Sequence, residues 1–189
     1  MISIKASGAT NLNWVQTGDL ETQLKEDSSS DKSFASLKWA KKRGSIATGS
    51  APEGTWTLKR TGFLHPKVTV REAGIDIDIA TYKLNWSGYG TLVIPSEGQE
   101  VYQFKRFSVW KPDWILSTSG GETVLRISPE MSWKEIGASV QFESTALTKN
   151  AKELALLAII TWYVLILMMY DDAGDSTAAF VGAIVAATA

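Results

Sequence analysis

Leu154-Ala-Leu-Leu-Ala-Ile-Ile-Thr-Trp-Tyr-Val-Leu-Ile-Leu-Met-Met-Tyr170 decides how this chain folds. The stretch carries no charge and no polar face, and Thr148 or Asn150 stands where a helix N-cap would fall. A helix that is apolar on every side must be enclosed, by protein or by lipid. At the α-helical rise it reaches roughly 25 Å against a hydrocarbon core of roughly 30 Å, which is short for a bilayer span. Lys149, Lys152 and Glu153 precede it and Asp171, Asp172 and Asp175 follow it, a pattern that permits either solution.

What lies upstream favours protein. From Phe34 to about Phe142, short runs of β-branched and aromatic residues alternate with Gly, Pro, Ser or Asn breakers. Ile75-Asp-Ile-Asp-Ile79 is the clearest strand pattern, with isoleucines on one face and aspartates on the other. Comparable readings cover Leu37 to Ala40, Ser45 to Thr48, Trp56 to Arg60, Lys67 to Arg71, Tyr82 to Trp86 and Thr91 to Ile94. Others are Val101 to Phe104, Phe107 to Trp110, Trp114 to Leu116, Thr123 to Ile127 and Ala138 to Phe142, giving about twelve strands in all. Turns at Glu53-Gly54, Ala73-Gly74, Ser87-Gly88, Glu97-Gly98 and Gly120-Gly121 make most neighbours antiparallel hairpins.

These strands need a partner for their apolar faces, and no other segment offers a long apolar surface. A closed sheet of about twelve strands is wide enough to hold an element rather than side chains alone. The expected fold is therefore mainly β, a closed antiparallel barrel enclosing a C-terminal apolar helix. Residues 34–172 form the barrel with its central helix at 151–170. Residues 1–33, with the polar run Lys25 to Lys32, read as an arm outside it, and the Ala-rich tail 173–189 as a second helix capped by Asp175 or Ser176. The alternative is a membrane-anchored protein with Leu154 to Tyr170 as its single span.

About twelve short strands followed by one apolar helix resemble the tubby-like C-terminal fold of tubby domains, phospholipid scramblases and plant LURP-one-related proteins. The residues that carry the likeness are Ser45-Ile-Ala-Thr48, Gly54 to Arg60, Gly62-Phe63, Val68 to Arg71 and the Leu154 to Tyr170 helix with Asp171-Asp172. It covers roughly Phe34 to Tyr170 and is architectural. The resemblance implies a helix threaded through the barrel and a non-enzymatic binding domain. Its ligand would be an anionic lipid head group or a protein partner.

Composition narrows the chemistry. Apolar residues at 44% and charged residues at 21% are ordinary for a globular chain. A net charge of −1, from 19 basic and 20 acidic side chains, supplies no field to attract nucleic acid, so no nucleic-acid partner is expected. The absence of cysteine removes disulfides, thiolate nucleophiles and thiolate metal sites. The N-terminal stretch has no secretory pattern, so the expected location is cytoplasmic, with membrane association left to the apolar segment. His65 is the single histidine, too little for a zinc site, and neither metal nor cofactor is expected. No phosphate-loop, dinucleotide or nucleophile-elbow string occurs, so enzymatic activity has no positive signal.

Three constellations remain. Lys59, Arg60, Lys67 and Arg71 come from two neighbouring strands and are the first candidates for anion or lipid binding, against the alternative of scattered solubilising charge. Asp76 and Asp78 could form an acid–base pair, against the simpler reading of a solvated strand face. Ala178, Gly182 and Ala186 in the tail suit close helix packing, in a membrane or in a homo-oligomer. The tryptophans of the strand region read as core and rim.

Overall fold

The fold, taken from a computed structural model, is described for residues 1–62, 66–84, 89–95, 99–108, 112–131, 136–143, 146 and 149–186. The side chains of Met131 and of residues from 172 onward are outside that description. Readings that rest on His65, Trp86, Trp110, Trp133, Ser87-Gly88 or Glu97-Gly98 concern residues outside it.

Twelve strands form one closed barrel in which each pairs antiparallel with its neighbours in sequence, and the first pairs with the last. A short helix α1 (Ile4–Ser7) precedes β1 (Asn11–Gly18), β2 (Glu21–Lys25), β3 (Ser33–Trp39), β4 (Ile46–Ala51), β5 (Gly54–Thr61) and β6 (Lys67–Glu72). There follow β7 (Asp78–Leu84), β8 (Gly90–Ile94), β9 (Glu100–Arg106), β10 (Trp114–Thr118), β11 (Thr123–Met131), β12 (Ile136–Phe142) and the long helix α2 (Ala151–Ala186). Inward positions follow the pleat. Trp39, Ala47, Leu58, Val70 and Ala80 succeed one another across β3 to β7, and all are buried.

α2 fills the interior. Leu154 through Leu167 is buried by the strands, so protein and not lipid encloses the apolar segment here. A helix as long and apolar as Ala151–Asp171 would pass for a span by length and composition alone. Among the strands it lies nearest β3, β4 and β5, and at β4 the approach is close: a Cβ added at Gly49 would stand 2.5 Å from Ile159 Cγ2. Larger side chains, among them Tyr82, Tyr102 and Phe104, fill space from other strands. The helix's few polar groups are satisfied, as burial demands. Trp162 Nε1 donates to Thr22 Oγ1 at 2.9 Å, Tyr163 Oη to the Ser45 carbonyl at 2.7 Å, and Thr161 Oγ1 to the Leu157 carbonyl at 2.7 Å. Trp14 stacks on Trp162 with centroids 5.8 Å apart, and Trp39 on Tyr163 at 4.8 Å.

Four expectations need correction. Residues 1–33 are not an outlying arm; they contain α1, β1 and β2, which are part of the barrel wall. Leu12, Trp14 and Leu24 point inward while polar residues between them face water, and that wet face hid the alternation. Ile75 to Ile79 is not a strand with a dry isoleucine face. β7 starts at Asp78, while Ile75 and Ile77 are 46% and 68% exposed beyond a turn in which Gly74 takes φ 81°. The Tyr82 strand is the continuation of β7, Phe107 lies just beyond β9 with the rest of the Phe107 to Trp110 reading outside the described residues, and β1 and β2 are two strands that were not expected. The backbone of α2 runs unbroken to Ala186, so the tail is a continuation of it and not a second helix.

A candidate anion-binding face

Strand direction gives the barrel two distinct ends. α2 enters at one, beside α1, where Lys5 Nζ donates to the Lys149 carbonyl at 2.8 Å. It leaves at the other, beyond the β3–β4 turn that carries Lys41, Lys42 and Arg43, with the Arg43 guanidinium 6.0 Å from the Tyr170 ring centroid. Exposed Ile46, Tyr89 and Phe107 belong to this exit end.

The four candidate cations do not form one cluster. Arg60 is in step with inward-facing Trp56 and Leu58, and at the exit mouth its Nη1 lies 2.8 Å from Asp171. Arg71, near the entry end, is held by two carboxylates: its Nε lies 2.7 Å from Asp78 and its Nη1 contacts Asp76. Hydrogen bonding to Asp78 raises the Arg71 pKa. This also accounts for the aspartate pair, whose common partner is an arginine. Lys59 and Lys67 are on the outer face, and the register sets Lys67 directly opposite Lys83 of β7. Lys59 stands opposite Thr69 on one side and Ile46 on the other.

Lys83 therefore joins the site, and alternation against buried Tyr82 was the signal that could have found it. The surrounding outward positions are hydroxyls and an amide. Thr61 faces Lys67, Thr69 faces Thr81, and Lys83 faces Thr91, which faces Gln103. Among the described residues Lys59, Lys67 and Lys83 form no ion pair. Like charges set opposite on adjacent strands repel, and hydroxyl donors beside them suit the oxygens of a phosphate or carboxylate.

A second polar cluster locks α2 at its entry. Tyr102 Oη contacts the carboxylates of both Glu100 and Glu153, and Lys149 Nζ lies 3.2 Å from Glu100 and 2.9 Å from Glu153. Asn150 caps the helix, its Oδ1 accepting from Glu153 N at 2.7 Å. Hydrogen bonding to Glu153 holds the more exposed Glu100 down to about 2, whereas burial pushes Glu153 up. Among the described residues no group of three or more His, Cys, Asp or Glu is placed to hold a metal ion.

Fold and site together define a class: a closed antiparallel β-barrel with a core helix and a basic, hydroxyl-rich outer face. Comparison with protein-family models, curated proteins and solved structures finds no match.

Proposed function

We propose that this chain is a non-enzymatic, tubby-like binding domain that engages an anionic lipid surface through Lys59, Lys67 and Lys83 and the adjoining exit end. The observation that carries the reading is the Lys67–Lys83 pair, two like charges opposite one another in the sheet, which an anion would relieve. Lys41, Lys42 and Arg43 supply further positive charge at the exit end, and Ile46 and Tyr89 add apolar surface beside it. That mixture suits an interface of phosphates above hydrocarbon.

Flotation with phosphatidylcholine vesicles, with and without phosphatidylserine, at two salt concentrations tests it. Binding should require phosphatidylserine and weaken as salt rises. With about 1 kcal/mol per lysine near an anionic surface, Lys67→Ala with Lys83→Ala should cost roughly thirtyfold in affinity. Equal binding to neutral vesicles, or an unaffected double variant, defeats the proposal.

A further inference from the structure

At the entry end, the side chains that tie α2 to the wall converge on two oxygen atoms. Tyr102 Oη contacts Glu100 Oε2 and Glu153 Oε1. Lys149 Nζ reaches the same two residues, 3.2 Å from Glu100 Oε2 and 2.9 Å from Glu153 Oε1. A tyrosine hydroxyl has one proton to give, so it can donate to only one of the two carboxyl groups. The other meets the hydroxyl's lone pairs and a second carboxylate, a contact that is attractive only when it brings a proton of its own. Lys149 offsets one negative charge and leaves the second to that proton.

Burial decides which carboxyl holds it. The Glu153 side chain is 12% exposed and that of Glu100 42%, and burial penalises the charged form. The proton therefore belongs to Glu153, whose pKa burial and the hydrogen bond to Glu100 both raise. Glu153 Oε2 accepts from Asn150 Nδ2 at 3.2 Å, which leaves Oε1, on the Tyr102 side, as the protonated atom.

The same residues hold the start of the helix by their other groups. Asn150 Oδ1 accepts from Glu153 N at 2.7 Å, and the Asn150 carbonyl accepts from Leu154 N at 3.2 Å. The Lys149 carbonyl accepts from Lys5 Nζ at 2.8 Å, which seats α1 against this end. Beside Glu153, Lys152 pairs with Glu72 of β6 at 2.8 Å. Among the described residues Glu100 and Tyr102 of β9 and Lys149 and Asn150 before α2 are the polar partners of Glu153, with Lys5 and the Lys152–Glu72 pair adjoining.

We propose that this cluster is a proton-operated latch: one proton on Glu153, shared with Glu100 across Tyr102, keeps α1 and the first turn of α2 seated, and its loss loosens that end alone. Once Glu153 ionises, two carboxylates face one hydroxyl, and opening lets water solvate both. A glutamate of raised pKa is neutral in the closed form, so closure is favoured in acid. The penalty builds as pH rises from the ordinary value of 4.5 through the raised one. The stretch from Leu154 to Leu167 stays buried in the barrel, so the opening is local.

Amide hydrogen exchange of the full chain, followed by NMR from acid to neutral pH and corrected for the intrinsic rate, tests this. Protection of the Ser7, Glu153 and Leu154 amides, all hydrogen-bonded at this end, should fall about tenfold or more as pH rises, while the Ile160 amide in mid-helix keeps its own. Glu153→Gln supplies a permanent donor in place of the proton and should make protection independent of pH. Glu100→Gln removes one of the two facing carboxylates and should do the same. A flat profile in the unsubstituted chain, a fall that either variant keeps, or Ile160 losing protection in step with the helix start overturns the proposal.

Discussion

Gly49→Ala combined with Ile159→Ala asks whether α2 really occupies the barrel against β4. The new Cβ at residue 49 would meet Ile159 Cγ2 at 2.5 Å, Leu58 Cδ1 at 3.3 Å and Ile159 Cδ1 at 3.4 Å. Such overpacking costs about 1–3 kcal/mol, offset in small part by the backbone entropy that alanine saves over glycine. Ile159 is fully buried, and its truncation to alanine alone should cost about 2–5 kcal/mol in lost transfer energy and cavity. In the double variant the added methyl group enters the space that the isoleucine vacates. The combined loss should then fall short of the sum by about 1–2 kcal/mol, within the range seen for residues in contact. Urea unfolding of the four proteins, in buffer without detergent and with unchanged m-values, measures the coupling. Additivity within about 0.5 kcal/mol would mean that the two side chains do not meet, and the threaded-helix geometry would be refuted.

Other consequences follow from buried polar groups. Thr22→Val strands the Trp162 indole N–H inside the core and should cost about 1–3 kcal/mol in urea unfolding, with Thr22→Ser largely sparing it. Tyr102→Phe removes the donor between Glu100 and Glu153 and should destabilise by a similar amount of about 1–3 kcal/mol. Glu100 is depressed from 4.5 to about 2, so its stabilising contribution is complete above the ordinary value and lost as pH falls between those limits. Glu153 shifts the other way because it is the more buried, so its ionised form is the one folding disfavours at higher pH. Carboxyl-carbon NMR should show Glu153 titrating above Glu100, and Glu153→Gln should erase the higher step; a reversed order would contradict the cluster's geometry.

The architecture was legible because two periodicities met. The uncharged Leu154 to Tyr170 run demanded an enclosure, and period-two alternation from Phe34 onward supplied one. Errors arose where local pattern outran context. Ile75-Asp-Ile-Asp-Ile79 alternates perfectly, yet Arg71 captures both aspartates beside a turn and leaves Ile75 and Ile77 in water. Conversely, Asn11 to Lys25 looked too polar for a wall, although one wet face is all that an outer strand surface requires. The candidate site was half readable. Adjacent strands did bring Lys59 and Lys67 to one face, but Arg60 faces the interior, and only the register could reveal that Lys83 stands opposite Lys67.

The position of α2 in the chain has a consequence for synthesis. The ring closes only when Asn11 meets Gln141, and the element that fills it is made after every strand. A ribosome releasing this chain therefore presents a succession of hairpins with one oily face and nothing to cover it. Local pairing can begin early, but the cooperative step waits for α2, made after all twelve strands, to reach its place, the reverse of the N-terminal-first order usual in multidomain chains. Until then the nascent chain depends on being shielded, by chaperones or by speed, and a message truncated before residue 154 would yield a wall without a core.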